Sequence, residues 1–261
     1  MEIREPERLI PVVGEADVVV VGSGPGGLSA AIAAARAGVS VILIERFGCF
    51  GGNITSVGVE GFAWYRHQKT VEAGGLAFEY EQRAIESNAA VPESQSKSYE
   101  LDSEGFKVVA DNLILSAGVR PMLHRAFCSP ILEGDEIKGV ITESKAGREA
   151  IIGKIIIDAT GDADVARRSG VRVFKNNKED MISASVMFHM SGVNKDEFMN
   201  QVERDPQKYS DWSDKNWQVQ TSGKEDDMFS PFLRKPFEKA KDSGLIAVSY
   251  THLTLPTTVF V

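Results

Sequence analysis

The apolar positions of this chain fall into short continuous runs and longer periodic ones. Residues 17–21 (Asp17-Val-Val-Val-Val21) and 41–45 (Val41-Ile-Leu-Ile-Glu45) are brief, continuous and rich in β-branched side chains, as in strands buried on both faces of a parallel sheet. Between them Ala30, Ala31, Ala33, Ala34 and Ala35 predict a slim helix that opens at Pro25 and stops at Gly38. Ala73, Leu76, Ala77, Tyr80, Ala84 and Ile85 recur at near-helical spacing and predict a helix over 75–87. Phe106, Val109, Leu113 and Leu115 predict another over 104–117, ended by Gly118. From Val119 the pattern becomes that of strands, over 119–126, 127–133, 137–144 and 149–157, with turns at 133–136 and 145–148. The last strand runs into Asp158-Ala-Thr-Gly-Asp162 and a short helix through 165–169.

The polar stretches complete this outline. Residues 1–16, with Pro6 and Pro11, predict a surface-lying lead-in, and 88–102, with Pro92 and several serines, an exposed loop. A change of domain is expected at 171–193, where 182–190 alternate like a strand with one covered face. Beyond it we expect a short helix over 194–202 capped by Asn194, a polar loop over 204–227 and a helix within 229–247. The fold class is α/β: a Rossmann-like domain with a central parallel sheet and an inserted β-hairpin, plus part of a second α+β domain. The domain boundaries expected are 1–170, with an irregular and helical insert at 58–100, then 171–247.

The chemistry sits on the turns. Gly22, Gly24 and Gly27 fit G-x-G-x-x-G between a strand and a helix. The first glycine permits the tight turn, the second lets a pyrophosphate approach the backbone, and the third allows close helix packing. The unpaired N–H groups and dipole at the helix start favour an anion. Glu45 ends the second strand, about 20 residues past the glycines, where a carboxylate accepts the hydroxyls of an adenosine ribose. The loop at 46–55 carries Gly51 and Gly52, whose backbone N–H groups can meet phosphate or ribityl oxygens at close range. A second apolar strand delivers Thr160, Gly161 and Asp162 in the same way.

Charge and cysteine content narrow the partners. A net charge of -8, with no basic run, argues against nucleic acid. Two cysteines, Cys49 and Cys128, make neither a disulfide framework nor a four-cysteine iron–sulfur site. The first residues lack an apolar signal core and no run reaches membrane-spanning length, so a cytoplasmic protein without a membrane partner is expected.

The order Val21-Gly-Ser-Gly-Pro-Gly-Gly27, Glu45-Arg46, Gly51-Gly52 and Ile157-Asp-Ala-Thr-Gly-Asp-Ala-Asp-Val-Ala166 resembles the FAD-dependent oxidoreductases related to the flavoprotein subunit of heterodisulfide reductase. More distantly it resembles the fumarate reductase and succinate dehydrogenase flavoproteins. Residues 140–148 fit the same family as a β-hairpin between the two glycine motifs, and the likeness runs from 17 to about 193. The resemblance implies FAD as cofactor, with Gly22, Gly24, Pro25, Gly26 and Gly27 at the pyrophosphate turn, Glu45 on the adenosine ribose and Arg46 beside it. It further implies that Gly51, Gly52 and Thr55 reach the flavin half, and that Phe127 and Cys128 present backbone to adenine. Thr160, Gly161 and Asp162 then line the opposite wall of the cleft. Relatives can add an iron–sulfur partner subunit or domain. They also run longer, and 248–261 resemble translated sequencing-adaptor read-through, implying a truncated product whose native sequence ends near Ala247.

The function expected is hydride or electron transfer between a bound flavin and a small-molecule substrate or an electron-transfer partner, neither identified by the sequence. An NAD-linked Rossmann dehydrogenase and a non-catalytic nucleotide-binding subunit are the alternatives. Cys49 could be a redox thiol or a packed side chain, and His189 an acid or a structural histidine. Arg66 and His67 could face substrate. The Asp162 and Asp164 pair suggests cofactor contact or helix capping, and no cluster has the spacing of a metal site.

Overall fold

The computed structural model describes residues 3–4, 6–62, 66–67, 70–71, 74–92, 98–177, 191–194, 196–197, 239 and 242–244. Strand β1 (Val12–Val21) leads through helix α1 (Pro25–Arg36) to strand β2 (Val41–Ile44). Two-residue strands β3 (Arg66–His67) and β4 (Thr70–Val71) pair antiparallel. Helix α2 (Leu76–Glu86), strands β5 (Ala90–Pro92) and β6 (Tyr99–Leu101) and helix α3 (Ser103–Ser116) follow. The chain continues with β7 (Arg120–Met122), β8 (Ala126–Glu133), β9 (Glu136–Ser144), β10 (Gly147–Asp158) and α4 (Asp164–Arg168). Two compact units result. One comprises Met1–Gly61, Gly74–Val91 and Glu100–Phe174; the other comprises Phe62–Ala73, Pro92–Tyr99 and Lys175–Val261.

The first unit is built on a six-stranded sheet in the order β7-β2-β1-β10-β9-β8. The β7, β2, β1 and β10 neighbours run parallel, and β10, β9 and β8 form an antiparallel meander. Val21 is in register with both Ile44 and Asp158, and Ile44 with Met122. Four carboxyl ends therefore share one sheet edge, which is where ligands bind in open α/β sheets. The parallel β1–β2 pair requires a crossover, and α1 supplies it.

Apolar burial fixes this arrangement. Val19, Val20, Ile42, Leu43 and Ile44 are fully or almost fully removed from solvent. Val140 and Ile151 of the meander join Val19, Val21, Ile42, Ile44, Met122 and Val165 in one core cluster, so the antiparallel and parallel parts of the sheet share a core. Gly14 makes room in that core: a Cβ there would stand 3.0 Å from both Ile42 Cδ1 and Met122 Cε. Helix α1 packs on β1 and β2 and meets α2 and α3. Tyr80 and Phe106, both buried, meet edge to face with centroids 6.2 Å apart. Asp102 caps α3 by accepting the Glu104 N–H at 2.9 Å.

Three sequence expectations need correction. Residues 12–16 belong to β1, with Gly14 and Ala16 buried; the inward positions are too small to give an apolar signal. The stretch expected as an exposed loop over 88–102 contains β5 and β6, which pair, and it buries Ala89, Ala90 and Leu101. The strand expected over 119–126 ends at Met122 because the chain turns at His124, which has φ 55°. The strand over 182–190 with His189, the loop over 204–227, most of the helices expected after 194, and the tail at 248–261 lie outside the described residues. Among the described residues no helix is long and apolar enough to cross a membrane.

Candidate functional site

The site begins where β1 meets α1. Gly22 has φ 97°, closed to most side chains, and a Cβ on it would stand 2.3 Å from the Ala159 carbonyl oxygen. The two glycine turns thus mate directly, one leaving β1 and one leaving β10. Gly27 is also sterically required, since its Cβ would fall 1.9 Å from the Gly22 oxygen. Gly24 and Gly26 differ: a Cβ on either would meet nothing within 4 Å. Their missing side chains leave open space at the start of α1. That helix has Gly24 as N-cap with no side-chain cap, exposed Pro25 in its first turn and no acidic residue there. No acidic side chain of its own first turn therefore competes for its positive end and unpaired N–H groups. An open cradle of this kind fits a pyrophosphate.

Glu45 lies just past β2 and is 6% exposed. Its Oε2 accepts the Ser23 N–H at 2.9 Å and the Ser23 hydroxyl at 2.6 Å, and its Oε1 accepts the Phe47 N–H at 2.9 Å. Backbone bonds clamp the same residue from the neighbouring strand: its N–H donates to the Met122 carbonyl and its carbonyl accepts the Arg125 N–H, both at 2.9 Å. His124 donates its N–H to the Phe47 carbonyl at 3.1 Å, and its ring occupies the space over Gly48, where a Cβ would lie 2.7 Å from Cε1. Arg46 is exposed, with its guanidinium 4.7 Å from the Phe47 ring centroid.

The loop after Glu45 returns to the first turn. The Gly51 N–H donates to the Ser23 carbonyl at 2.9 Å, and a Cβ on Gly52 would stand 2.6 Å from Gly24 Cα. Gly51 and Gly52 are thereby brought to the open start of α1. Thr55 is buried and donates its hydroxyl to the Phe50 carbonyl at 2.6 Å, within its own loop. Cys49 is half-buried, with Sγ 3.7 Å from Ser56 Oγ and 3.9 Å from Thr55 Oγ1.

Asp158 closes the second turn. It accepts the Thr160 hydroxyl at 2.7 Å, the Thr160 N–H at 3.0 Å and the Ala166 N–H at 2.9 Å. Burial pushes its carboxyl up, but these donors outweigh burial and hold it below the usual aspartate range. Thr160 Oγ1 in turn accepts the Asp164 N–H at 2.9 Å. The start of α4 is thus capped by Asp158 and Thr160, where the sequence suggested Asp162 or Asp164. Gly161, with φ 84°, and Asp162 are exposed at the tip of this turn. On β8, Phe127 packs against the core cluster and lies 5.5 Å below the Arg168 guanidinium, which also donates to the Cys128 carbonyl.

The fold brings Gly22, Gly24, Pro25, Gly26, Gly27, Glu45, Gly51 and Gly52 to one edge, with Thr160, Gly161 and Asp162 on the turn that abuts Gly22. Arg66 and His67 form β3, in the other unit. Among the described residues no group of three or more His, Cys, Asp and Glu could hold a metal ion. Sequence reasoning did not single out Ser23, His124 or Asp158. The acid at the end of an apolar strand, just before Thr160-Gly161, was the available signal for Asp158; nothing local signalled the other two.

Comparison with known proteins identifies the family. The chain matches the family of FAD dependent oxidoreductases over residues 17–255. It is similar to the thiamine thiazole synthase of Saccharolobus islandicus, 31% identical over 163 residues that span 58% of this chain and 57% of that protein. The soluble pyridine nucleotide transhydrogenase of Mycobacterium bovis is 30% identical over 166 residues, 60% of this chain and 33% of the relative. The chain therefore spans about half the length, or less, of these curated relatives. Among solved structures, Thermovibrio ammonificans THI4 is similar with a TM-score of 0.46 and 20% identity, covering 60% of this chain and 64% of that one. The matched residues take in both glycine turns and Glu45, and the chain is a member of the FAD dependent oxidoreductase family, with FAD as its cofactor.

Proposed function

We propose that FAD lies along the carboxyl edge of the sheet and that the protein uses it to exchange hydride or electrons with a small molecule or a redox partner. The observation that carries this reading is the carboxylate of Glu45, fixed by Ser23 and Phe47 beside the open backbone of Gly24 and Gly26. Sheet order supports a direction. The pyrophosphate belongs at the end of β1 and the ribose at the end of β2, so adenine continues toward β7, where His124 and Arg46 flank its path. The flavin half runs the other way, toward Gly52 and the turn at Thr160, Gly161 and Asp162. A backbone contact of adenine with Phe127 and Cys128 belongs to the same proposal: both follow Arg125, whose N–H bonds the Glu45 carbonyl, and Arg168 lies over the Phe127 ring and donates to the Cys128 carbonyl.

Bound FAD supplies a ring that takes up or returns a hydride or single electrons. The residues described here position it: backbone N–H groups and the α1 dipole neutralise phosphate charge, and Glu45 selects a ribose with free hydroxyls over one with a 2′-phosphate. The motif order also supports placement near the flavoprotein subunit of heterodisulfide reductase, with an iron–sulfur electron partner as the corresponding proposal.

The test is a visible absorption spectrum of the full chain after incubation with FAD and removal of the excess. A retained flavin spectrum that is lost in Gly24→Val supports the reading. A folded, colourless protein that binds NAD instead would overturn it.

A further inference from the structure

We infer that Ser23 is a positioning residue for the adenosine end of the cofactor, and that it leaves Glu45 with one acceptor position, on Oε1, for one ribose hydroxyl. The inference rests on the FAD reading above. A carboxylate offers about four acceptor positions and no donor. The Ser23 N–H and hydroxyl fill both positions on Oε2, and the Phe47 N–H fills one on Oε1. One remains. The Ser23 hydroxyl is the donor in the 2.6 Å bond.

Burial makes this arrangement consequential. Ser23 is 0% exposed and Glu45 6% exposed, so little water reaches the pair to replace a missing donor. A glutamate at a strand end otherwise has three rotatable bonds with which to avoid or chase a ligand. Two bonds from one small residue remove that freedom. The same residue accepts the Gly51 N–H on its carbonyl at 2.9 Å, so its backbone serves both Glu45 and the glycine loop while its hydroxyl serves Glu45. A Ser23 side-chain variant therefore separates the two.

The experiment measures dissociation constants of the full chain for FAD and for its 2′-deoxyadenosine and 3′-deoxyadenosine analogues. Wild-type protein is expected to bind one analogue about tenfold more weakly than FAD and the other about as well as FAD, the loss of one hydrogen bond to a charged group. Ser23→Ala is expected to bind FAD about tenfold more weakly and to lose the difference between the analogues, because the freed carboxylate no longer presents one fixed acceptor. Equal losses for both analogues in the wild type would overturn the single-acceptor assignment. Weaker FAD binding by Ser23→Ala with the analogue difference intact would reduce Ser23 to a structural residue and also overturn it. If Ser23→Ala does not fold, Ser23→Gly, which keeps the N–H bond, gives the same comparison. Failure of the wild type to bind FAD at all is a different result, and sinks the cofactor reading itself.

Discussion

Gly22 and Ala159 meet backbone to backbone: a Cβ on Gly22 would lie 2.3 Å from the Ala159 carbonyl oxygen. Two turns far apart in sequence are thereby held as one surface, and nothing larger than hydrogen fits between them. Gly22 also has φ 97°, so Gly22→Ala combines a clash with a strained backbone. We expect it to lower stability by about 2 kcal/mol or more. Urea denaturation of the protein without added flavin should show an earlier midpoint, and an unchanged midpoint would mean the turns can separate freely.

Gly24→Val should leave the fold largely intact and remove the cofactor. A Cβ on Gly24 meets no other atom within 4 Å, and the backbone there is extended, with φ -60° and ψ 176°. That conformation is open to any residue. The flavin-free protein should melt close to the wild type, while FAD retention falls because the branched side chain fills the cradle. Full FAD retention would place the pyrophosphate elsewhere.

Asp158→Asn tests the second turn and its pH dependence. Asparagine can accept through Oδ1, but its amide nitrogen would confront the Ala166 N–H that now donates to Oδ2 at 2.9 Å. The expected loss near neutral pH is about 1–3 kcal/mol. Because the folded carboxyl is held below its ordinary range, its contribution is present above the unfolded value, near pH 4, and is lost as pH falls through the lower folded value. The gap between wild type and variant should therefore be constant from pH 5 to 8 and shrink below about pH 4. A gap that widens in acid would contradict the assignment.

Arg125 pairs with Glu149, and the two side chains are only 20% and 12% exposed. Glu149 also accepts the Ser144 hydroxyl at 3.3 Å. Removing the cation alone strands a largely buried carboxylate, so Arg125→Met should cost about 3 kcal/mol. The double replacement with Glu149→Met should recover much of that loss. Denaturation midpoints of the four proteins in the cycle give the coupling directly, and additive losses would show that the ions do not depend on each other.

Much of this site was legible in the chain because its signals are local. The alanines of α1, the apolar runs of β1 and β2, and Gly22, Gly24 and Gly27 between them sit within 30 residues of one another. Each constrains its neighbours through backbone geometry alone. The start of β1 was hidden for a physical reason. Gly14 and Ala16 face inward, and they are small because Ile42 and Met122 fill the space above Gly14. Strands β5 and β6 were hidden because they are three residues each, and the burial of Ala89 comes from a distant element, with a Cβ on Gly105 of α3 falling 2.7 Å from the Ala89 Cβ. The early end of β7 is set by backbone bonds to Glu45 and Phe47, partners that lie in another strand and loop.

The sequence by itself determined the strand–turn–helix–strand unit, the acid at its end and the second glycine turn, and with them the family and FAD. These are consequences of short-range periodicity and of backbone freedom at glycine, which neighbouring residues alone decide. Only the tertiary structure decided that Gly22 abuts Ala159, that Gly24 and Gly26 stay open while Gly27 is filled, and that Ser23 spends its hydroxyl on Glu45. Those outcomes depend on which atoms of distant strands arrive within 3 Å, and sheet order and register fix that only when the whole first unit has folded.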